Sequence, residues 1–226
     1  MATVVDIVTS AYRRIGVVTE AQALTEEAKA DAVSALNHLL DRLPSQGVGE
    51  AMKLRRVTAS MTVTEPSILH VIAAGALTIT LPEEPSNGFR VKIVDVGKTA
   101  STSNITIARN GWLIAGSSAN VVLSTDGATK EYMFRADLGD WVEITRPLLP
   151  SAQMPFASSD DEAFSALLAK RLIEDRAKPL TAELQSAAQD GLIHLQSSYQ
   201  PDMTVDFDRS LTRTPSQIRY SSYRVI

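Results

Sequence analysis

Residues 76–108, ALTITLPEEPSNGFRVKIVDVGKTASTSNITIA, contain the pattern that decides the fold expected for this chain. Within them, short runs alternate apolar and polar residues with the period of two that β-strands show, and turn-forming residues separate the runs. Similar runs follow further along the chain. The pattern predicts about seven to nine strands in a small antiparallel sandwich. The runs lie at 76–81, 90–94, 104–108, 121–123, 130–134 and 141–144.

Dipeptides that favour tight turns separate these runs. Such pairs are the strongest short-range signal for a β-hairpin, because glycine and asparagine tolerate the left-handed backbone that a two-residue turn requires. Neighbouring strands are therefore expected to pair antiparallel. The pairs are Asn87-Gly88, Asn110-Gly111, Asp126-Gly127 and Gly139-Asp140.

The sequence on either side of this region has a helical period instead. Thr25 is a good N-cap, with acidic residues in the turn that follows it, and Pro44 is expected to end that helix. The run Ser159–Glu162 matches a capping box that opens a third helix. The helical segments expected are 4–15, 25–43, 159–177 and a fourth that carries Leu184, Ala188, Leu192 and Leu195 and fades at Tyr199.

Such a change from helical to β and back to helical sequence indicates an inserted domain. The fold class expected is α+β: a four-helix bundle with a long extended C-terminal arm, interrupted by an inserted all-β antiparallel sandwich. The helical domain is discontinuous, at 1–56 and 148–200. The inserted domain is 57–147, and the arm is 201–226.

Composition excludes several classes of protein. The chain of 226 residues has no cysteine, which excludes disulfides, thiolate zinc sites and cysteine nucleophiles. It contains no run of eighteen apolar residues and no secretory signal at its start, so no membrane partner is expected and synthesis in the cytoplasm is the default. A net charge of -4 does not favour tight, sequence-specific binding of DNA.

The C-terminal arm carries the candidate binding residues. From residue 209 onward the chain has four arginines, two tyrosines and no acidic residue. Arginine and tyrosine carry much of the binding energy in protein interfaces, so the arm is interpreted as a segment that a partner orders, rather than a frayed tail. The candidates are Arg209, Arg213, Arg219, Tyr220, Tyr223 and Arg224.

No catalytic, cofactor-binding or metal-binding residue is predicted. The three histidines, His38, His70 and His194, lack the spacing of metal ligands. Asp95 and Asp126 are interpreted as turn-forming residues rather than cation ligands. The two tryptophans are interpreted as core residues rather than platforms that stack on a sugar.

The helical segments resemble a known family. RRIGV (13–17), TEEAKADAVSALNHLLDRL (25–43) and LLPSAQMPFASSDDEAFSALLAKRLIEDRAKPLTAELQSAAQDGL (148–192), followed by a long arm, resemble the head-to-tail adaptors of tailed phages, in the tail accessory or packaged-DNA-stabilising branch. The resemblance covers roughly 1–56 and 148–226.

This resemblance implies a structural virion protein at the head–tail junction. Members of the family form a ring, typically of twelve copies, beneath the portal protein. Their arms embrace the portal, their lower face receives the tail nozzle or hub protein, and DNA passes through the ring without sequence-specific binding. The resemblance implies no cofactor and no enzymatic activity.

The β region resembles a second kind of phage protein. LTITLPEEPSNGFRVKIVDVGKTASTSNITIARNGWLI (77–114) and VVLSTDGATKEYMFRADLGDWVEI (121–144) are similar to a module of tail fibres and receptor-binding proteins. Within an adaptor, such a module implies an outward decoration or a dock for a tail fibre or spike. Two alternatives remain: a receptor- or glycan-binding module anchored by its helices, and a cell-wall hydrolase.

Overall fold

The computed structural model describes residues 2–17, 24–176 and 179–200. In these ranges the chain forms two helices, then ten strands, then two more helices. The helices are α1 Val4–Arg14, α2 Glu26–Arg42, α3 Asp161–Asp175 and α4 Ala182–Ser198. The strands are β1 Lys53–Val57, β2 Met61–Thr62, β3 Ser67–Val71, β4 Leu77–Thr80, β5 Arg90–Asp95, β6 Ile105–Ala108, β7 Leu113–Ile114, β8 Val121–Leu123, β9 Thr129–Arg135 and β10 Asp140–Glu143.

The expected fold class, a four-helix bundle interrupted by an all-β antiparallel sandwich, is wrong. The strands form two mixed sheets, which makes the fold α/β. The six-stranded sheet has the order β1-β3-β5-β9-β10-β7, and the four-stranded sheet has the order β2-β4-β6-β8. Parallel pairs join β1 to β3, β3 to β5, β2 to β4, β4 to β6 and β10 to β7.

The parallel pairs follow from the path of the chain. From β1 to β9, every strand lies in the other sheet from the strand before it, so the chain winds as a flattened coil. From β1 to β6, strands one coil apart run in the same direction and become neighbours in one sheet; Lys53 of β1, for example, is in register with Ser67 of β3. An antiparallel sandwich would instead join neighbours directly by hairpins.

The turn signals lie at real turns, but three of the four do not make hairpins. Gly88, Gly111 and Gly127 all have positive φ angles and all lie in connections that cross from one sheet to the other. Gly139 alone among the four lies between antiparallel neighbours, β9 and β10. The turn residues therefore mark where the chain bends, while the sheet to which it moves depends on packing.

The helix start expected at Thr25 is confirmed by its hydrogen bond, and Thr3, which was not among the expected caps, caps α1. Thr3 and Asp6 form a reciprocal capping box at the start of α1, and Thr25 Oγ1 accepts from the Ala28 amide at the start of α2. The capping box expected at 159–162 is wrong. Residue 160 is the N-cap of α3, and its side chain makes no cap hydrogen bond because it is bound elsewhere.

The helices pack around α3 rather than as a regular bundle. Helix α3 contacts α1, α2 and α4, and every residue from Ala163 to Ala169 is buried. A helix that is apolar on all sides is typical of a central position. Met133 and Ile144 of the β region also belong to this core, so the six-stranded sheet closes one side of it.

A second core lies between the two sheets. Its largest side chain is Trp141, which is completely buried and packs against Phe89 and Phe134 at centroid distances of 5.9 and 5.3 Å. The first strand begins at Lys53, four residues before the expected start of the inserted domain at 57. Residues 53–144 are called the β region below.

Candidate functional site

The predicted binding residues of the arm, Arg209, Arg213, Arg219, Tyr220, Tyr223 and Arg224, lie outside the described residues. The structure does describe the point from which the arm starts. Helix α4 ends at Ser198, Tyr199 follows, and Gln200 is the last described residue. The candidate site is therefore the base of the arm.

Tyr199 is held at the junction of the helices and the β region. Its side chain is buried, and its ring packs edge-on against Phe156 at a centroid distance of 5.3 Å. On its other side lies the backbone of Gly88, where an added Cβ would come within 2.6 Å of the tyrosine ring. Asn87 Nδ2 also donates to the Ser198 carbonyl at 2.8 Å. These contacts fix the end of α4 against the turn before β5.

A buried carboxylate holds the tyrosine hydroxyl. Asp160 is 1% exposed, and its Oδ2 accepts a hydrogen bond from the Tyr199 hydroxyl at 2.5 Å. Its Oδ1 lies 2.9 Å from His194 Nε2 and accepts from Ser159 Oγ at 3.3 Å. Burial of the ring, and then the nearby carboxylate of Asp160, raise the pKa of Tyr199, so the phenol keeps its proton and remains a donor.

The cluster of Ser159, Asp160 and His194 contains the residue types of a hydrolytic triad but lacks its arrangement. Ser159 Oγ is bonded to the aspartate, whereas a nucleophile must be bonded to the imidazole that removes its proton. The histidine directs Nε2 to the buried carboxylate. The arrangement secures the end of α4 and provides no activated nucleophile.

A cleft of about 380 Å³ lies beside this cluster, between α3 and α4. The two helices approach closely because Gly191 faces Ala163; a Cβ at Gly191 would lie 3.0 Å from the Ala163 Cα. The cleft floor is made of small residues, and its rim is polar. Glu162, on the rim, already pairs with Arg14 of α1 at 3.0 Å. The lining residues are Ser159, Glu162, Ala163, Ala166, Ala187, Asp190, Gly191 and His194.

A buried ionic cluster joins the β region to α2. Glu131 of β9 is 4% exposed and pairs with Arg90 of β5, while Lys92 Nζ and Arg146 Nε each lie 3.9 Å from its carboxylate. Arg146 also donates to Asp41 Oδ1 of α2 at 2.6 Å. Burial, followed by the charge of Arg90, lowers the pKa of Arg146. The cluster therefore depends on the charge of Glu131 to balance several cations.

The candidate ligand-binding residues of the β region are used within the fold. Asp95 Oδ2 accepts from the amides of Thr99, Ala100 and Gly127 at 3.0 to 3.1 Å. Asp126 Oδ1 accepts from the Ser101 amide at 2.8 Å, and that bond lowers the pKa of Asp126. The turn-forming interpretation is confirmed for Asp95, which binds amides of the loop that follows it, whereas the Asp126 side chain joins its turn to the loop at Ser101.

Both tryptophan side chains also make contacts within the fold. Trp141 is completely buried, and Trp112 Nε1 donates to the Glu83 carbonyl at 2.7 Å while its ring packs on Phe134. The interpretation of Trp141 as a core residue is therefore confirmed.

Sequence reasoning missed the role of Asp160. The sequence placed it at a helix start, where acidic residues are common, and His194 was considered only as a metal ligand and rejected for its spacing. The only hint in the sequence was that His194 and Tyr199 lie close together at the end of one helix. That hint does not identify Asp160 as their partner, because Asp160 lies 34 residues before His194 and 39 before Tyr199.

Within residues 2–17, 24–176 and 179–200, no three side chains of histidine, aspartate or glutamate are placed to hold a metal ion. No helix in the described parts of the chain has the length and hydropathy of a membrane span. No protein-family model matches the chain, and no curated protein matches it.

Proposed function

We propose that this chain is a structural virion protein, a head-to-tail adaptor of a tailed phage. It assembles as a ring, taken to be of twelve copies, on the portal protein and receives the tail nozzle or hub protein on its other side. DNA passes through the ring without sequence-specific contacts. In this proposal the chain is not an enzyme, and its β region faces outward as a dock for a tail fibre or spike.

The observation that carries the proposal is the anchor at the base of the arm. The adaptor resemblance rests on segments at both ends of the chain, and α1, α2 and α4 all pack on α3. Helix α4 then ends at a buried tyrosine that is bonded to a buried aspartate. An arm that grips a partner needs such a fixed base, since force and orientation reach the arm only through its first residues.

Arginines are suited to the binding proposed for the arm. A guanidinium group pairs with a carboxylate through two parallel hydrogen bonds, which lysine cannot do. Carboxylates on the portal would meet Arg209, Arg213, Arg219 and Arg224, with Tyr220 and Tyr223 packed among them. Pairs of this kind that lose their water on binding are worth on the order of 2–5 kcal/mol when one partner is truncated.

The test compares the arm with the β region in binding to the portal. Arg213→Ala with Arg219→Ala removes two positive charges from the arm, and Lys98→Ala with Lys130→Ala removes two from the β region. Native mass spectrometry and portal pull-down across a salt series should show a large loss for the arm pair and little change for the control pair. An equal loss from both pairs, or no loss from the arm pair, would refute the proposal.

The oligomeric state separates the adaptor from a fibre-type module. With portal present, native mass spectrometry should show a ring of many copies of this chain. A trimer that binds glycan or receptor and ignores the portal would favour the alternative instead.

A further inference from the structure

Strand β1 is one of the two outer strands of the six-stranded sheet. Within residues 2–17, 24–176 and 179–200, no strand pairs with its outer side, which is called the free edge below. In its parallel pairing with β3, the Lys53 amide donates to the Pro66 carbonyl, and the Val57 carbonyl accepts from the Ile72 amide. Alternate residues of a strand direct their backbone groups to opposite sides. Lys53, Arg55 and Val57 therefore face β3, and the N–H and C=O groups of Leu54 and Arg56 point to the free edge.

The side chains of β1 also indicate an interface. Leu54 is 65% exposed, which makes it the most exposed large apolar residue in the described part of the chain. Lys53 and Arg55 share a single carboxylate, that of Glu65, at 2.5 and 3.9 Å. A strand that exposes unpaired backbone groups, a large apolar side chain and excess positive charge is open to pairing with another strand.

The described chain ends beside the start of this strand. The Tyr199 carbonyl accepts from the Gly49 amide at 3.1 Å, and β1 begins four residues after Gly49. Around Tyr199 lie Glu50, Pro66 and Phe89, which precede β1, β3 and β5. A segment that continues from this end of the sheet along its edge therefore runs in the same direction as β1.

The next residues of the chain complement that edge. Residues 201–208 read PDMTVDFD, in which Met203, Val205 and Phe207 alternate with polar residues. The segment carries three aspartates and no basic residue. Eight extended residues span about 26 Å, more than the roughly 17 Å of a five-residue strand, so some residues remain to reach the edge from Tyr199.

We propose that residues 201–208 add to the free edge of β1 in the same chain, as a parallel strand. Its apolar residues then lie beside Leu54 on one face of the sheet, and its aspartates lie beside Lys53 and Arg55 on the other. Its backbone bonds the N–H and C=O groups of Leu54 and Arg56. This inference does not rest on the adaptor proposal, and it leaves the arginines from 209 onward available to a partner.

Amide hydrogen exchange on the full chain, resolved by residue with NMR, tests this directly. The amides of Leu54 and Arg56 should exchange slowly, and at the same rate when the protein is diluted. The Lys53 amide, bonded to the Pro66 carbonyl, reports that the sheet itself is intact in every variant.

Two proline variants supply the matched comparison. Neighbouring residues of a strand direct their N–H groups to opposite sides, so only one of Thr204 and Val205 can donate its N–H group to β1. Of Thr204→Pro and Val205→Pro, one variant should therefore remove a hydrogen bond to β1, and the other should leave the pairing with β1 intact. In the disruptive variant, Leu54 and Arg56 should exchange faster by on the order of tenfold or more, while Lys53 is unchanged. Gln217→Pro, beyond the segment, should leave all three amides unchanged.

Three results would overturn the inference. The first is fast exchange of Leu54 and Arg56 in the unaltered chain. The second is protection that survives both proline variants, since another group would then cover the edge. The third is protection that disappears on dilution, because the strand would then come from a second copy of the chain.

Discussion

Tyr199 illustrates how one side chain can join three parts of the molecule. Its hydroxyl is bonded to Asp160 before α3, its ring packs on Phe156, and its flank touches Gly88 in the β region. A hydrogen bond to a buried charged acceptor is worth more than a neutral one, because the acceptor loses its water on folding.

Tyr199→Phe should therefore lower the free energy of unfolding by about 1–3 kcal/mol, since it leaves Asp160 with one donor fewer in a buried position. Tyr132→Phe is the matched control: its ring is equally buried, and its hydroxyl has no hydrogen-bond partner among the described residues. Urea denaturation of both variants measures the difference. Equal effects would show that the bond to Asp160 contributes nothing specific.

Asp6 gives a prediction about pH. Its carboxylate accepts from the Thr3 amide and hydroxyl, and these hydrogen bonds lower the pKa of Asp6. A carboxyl group with a lowered pKa in the folded state stabilises the fold above its ordinary pKa, and that contribution is lost as the pH falls through the folded-state pKa.

Asp6→Asn should therefore destabilise the protein near neutral pH by at most about 1 kcal/mol, because the site is exposed and screened by solvent. The difference from the unaltered chain should shrink as the pH falls below about 4, where aspartate becomes protonated. Denaturation at several pH values measures it, with Asp31→Asn on the exposed face of α2 as the control. A difference that grows in acid would contradict the assignment.

At the scale of elements, what the sequence reveals depends on whether the signal is local. The first turns of α1 and α2 are determined by nearby residues: α1 starts at Val4 as the expected segment does, and α2 starts at Glu26, directly after the expected cap Thr25. The expected strands at 90–94 and 121–123 also agree with the observed bounds to within a residue or so. Helices and strands can both be predicted from sequence because the pattern that marks each one repeats every few residues.

Strand pairing was not predictable in the same way. The side chains of a strand alternate with a period of two whether its neighbour is parallel or antiparallel. The neighbours of β3 are also distant in the sequence: Ser67 is in register with Lys53, 14 residues earlier, and with Val91, 24 residues later. The turn at Gly88 looks like a hairpin turn but carries the chain to the other sheet. Strands β1, β2, β3 and β7 were not expected from the sequence; β2 and β7 have only two residues each.

The ionic cluster at Glu131 links two elements across this boundary, and it should be sensitive to a single change. Glu131→Gln leaves the largely buried guanidinium group of Arg90 without its carboxylate and Arg146 with only the exposed Asp41, which should lower the free energy of unfolding by on the order of 3–5 kcal/mol. Glu143→Gln is the control, because its pair with Lys130 is half exposed and should matter by less than about 1 kcal/mol.

Chemical denaturation of the two variants would decide the matter. Similar small losses would mean that solvent already screens the Glu131 cluster. A stabilised Glu131→Gln variant would mean that the desolvation free energy of the buried charges exceeds the free energy of their attraction.

At the scale of the whole molecule, the helices and the β region have separate cores but share a substantial boundary. Met133 and Ile144 belong to the helical core although they lie in or beside the sheet. Arg135 NH1 donates to the Phe156 carbonyl at 3.1 Å in a buried position, and Asn87 Nδ2 donates to the Ser198 carbonyl at the end of α4 at 2.8 Å. These contacts predict that the two parts stabilise each other.

The sequence provides a direct way to test this coupling. Both tryptophans, Trp112 and Trp141, lie in the β region, so tryptophan fluorescence reports on that region alone. Far-ultraviolet circular dichroism reports mainly on the helices, whose dichroism is stronger than that of strands. If the shared boundary makes one cooperative unit, the two signals should follow a single urea transition with the same midpoint and slope.

Arg135→Met should sharpen the test, because it removes the buried bond to the Phe156 carbonyl while keeping a long apolar side chain. We expect both signals to shift together to lower urea by a similar amount, since the loss is shared by the whole unit. Lys98→Met, on an exposed loop of the β region, is the control and should move neither curve. Two separate transitions in the unaltered chain would show instead that the β region folds independently of the helices that carry it.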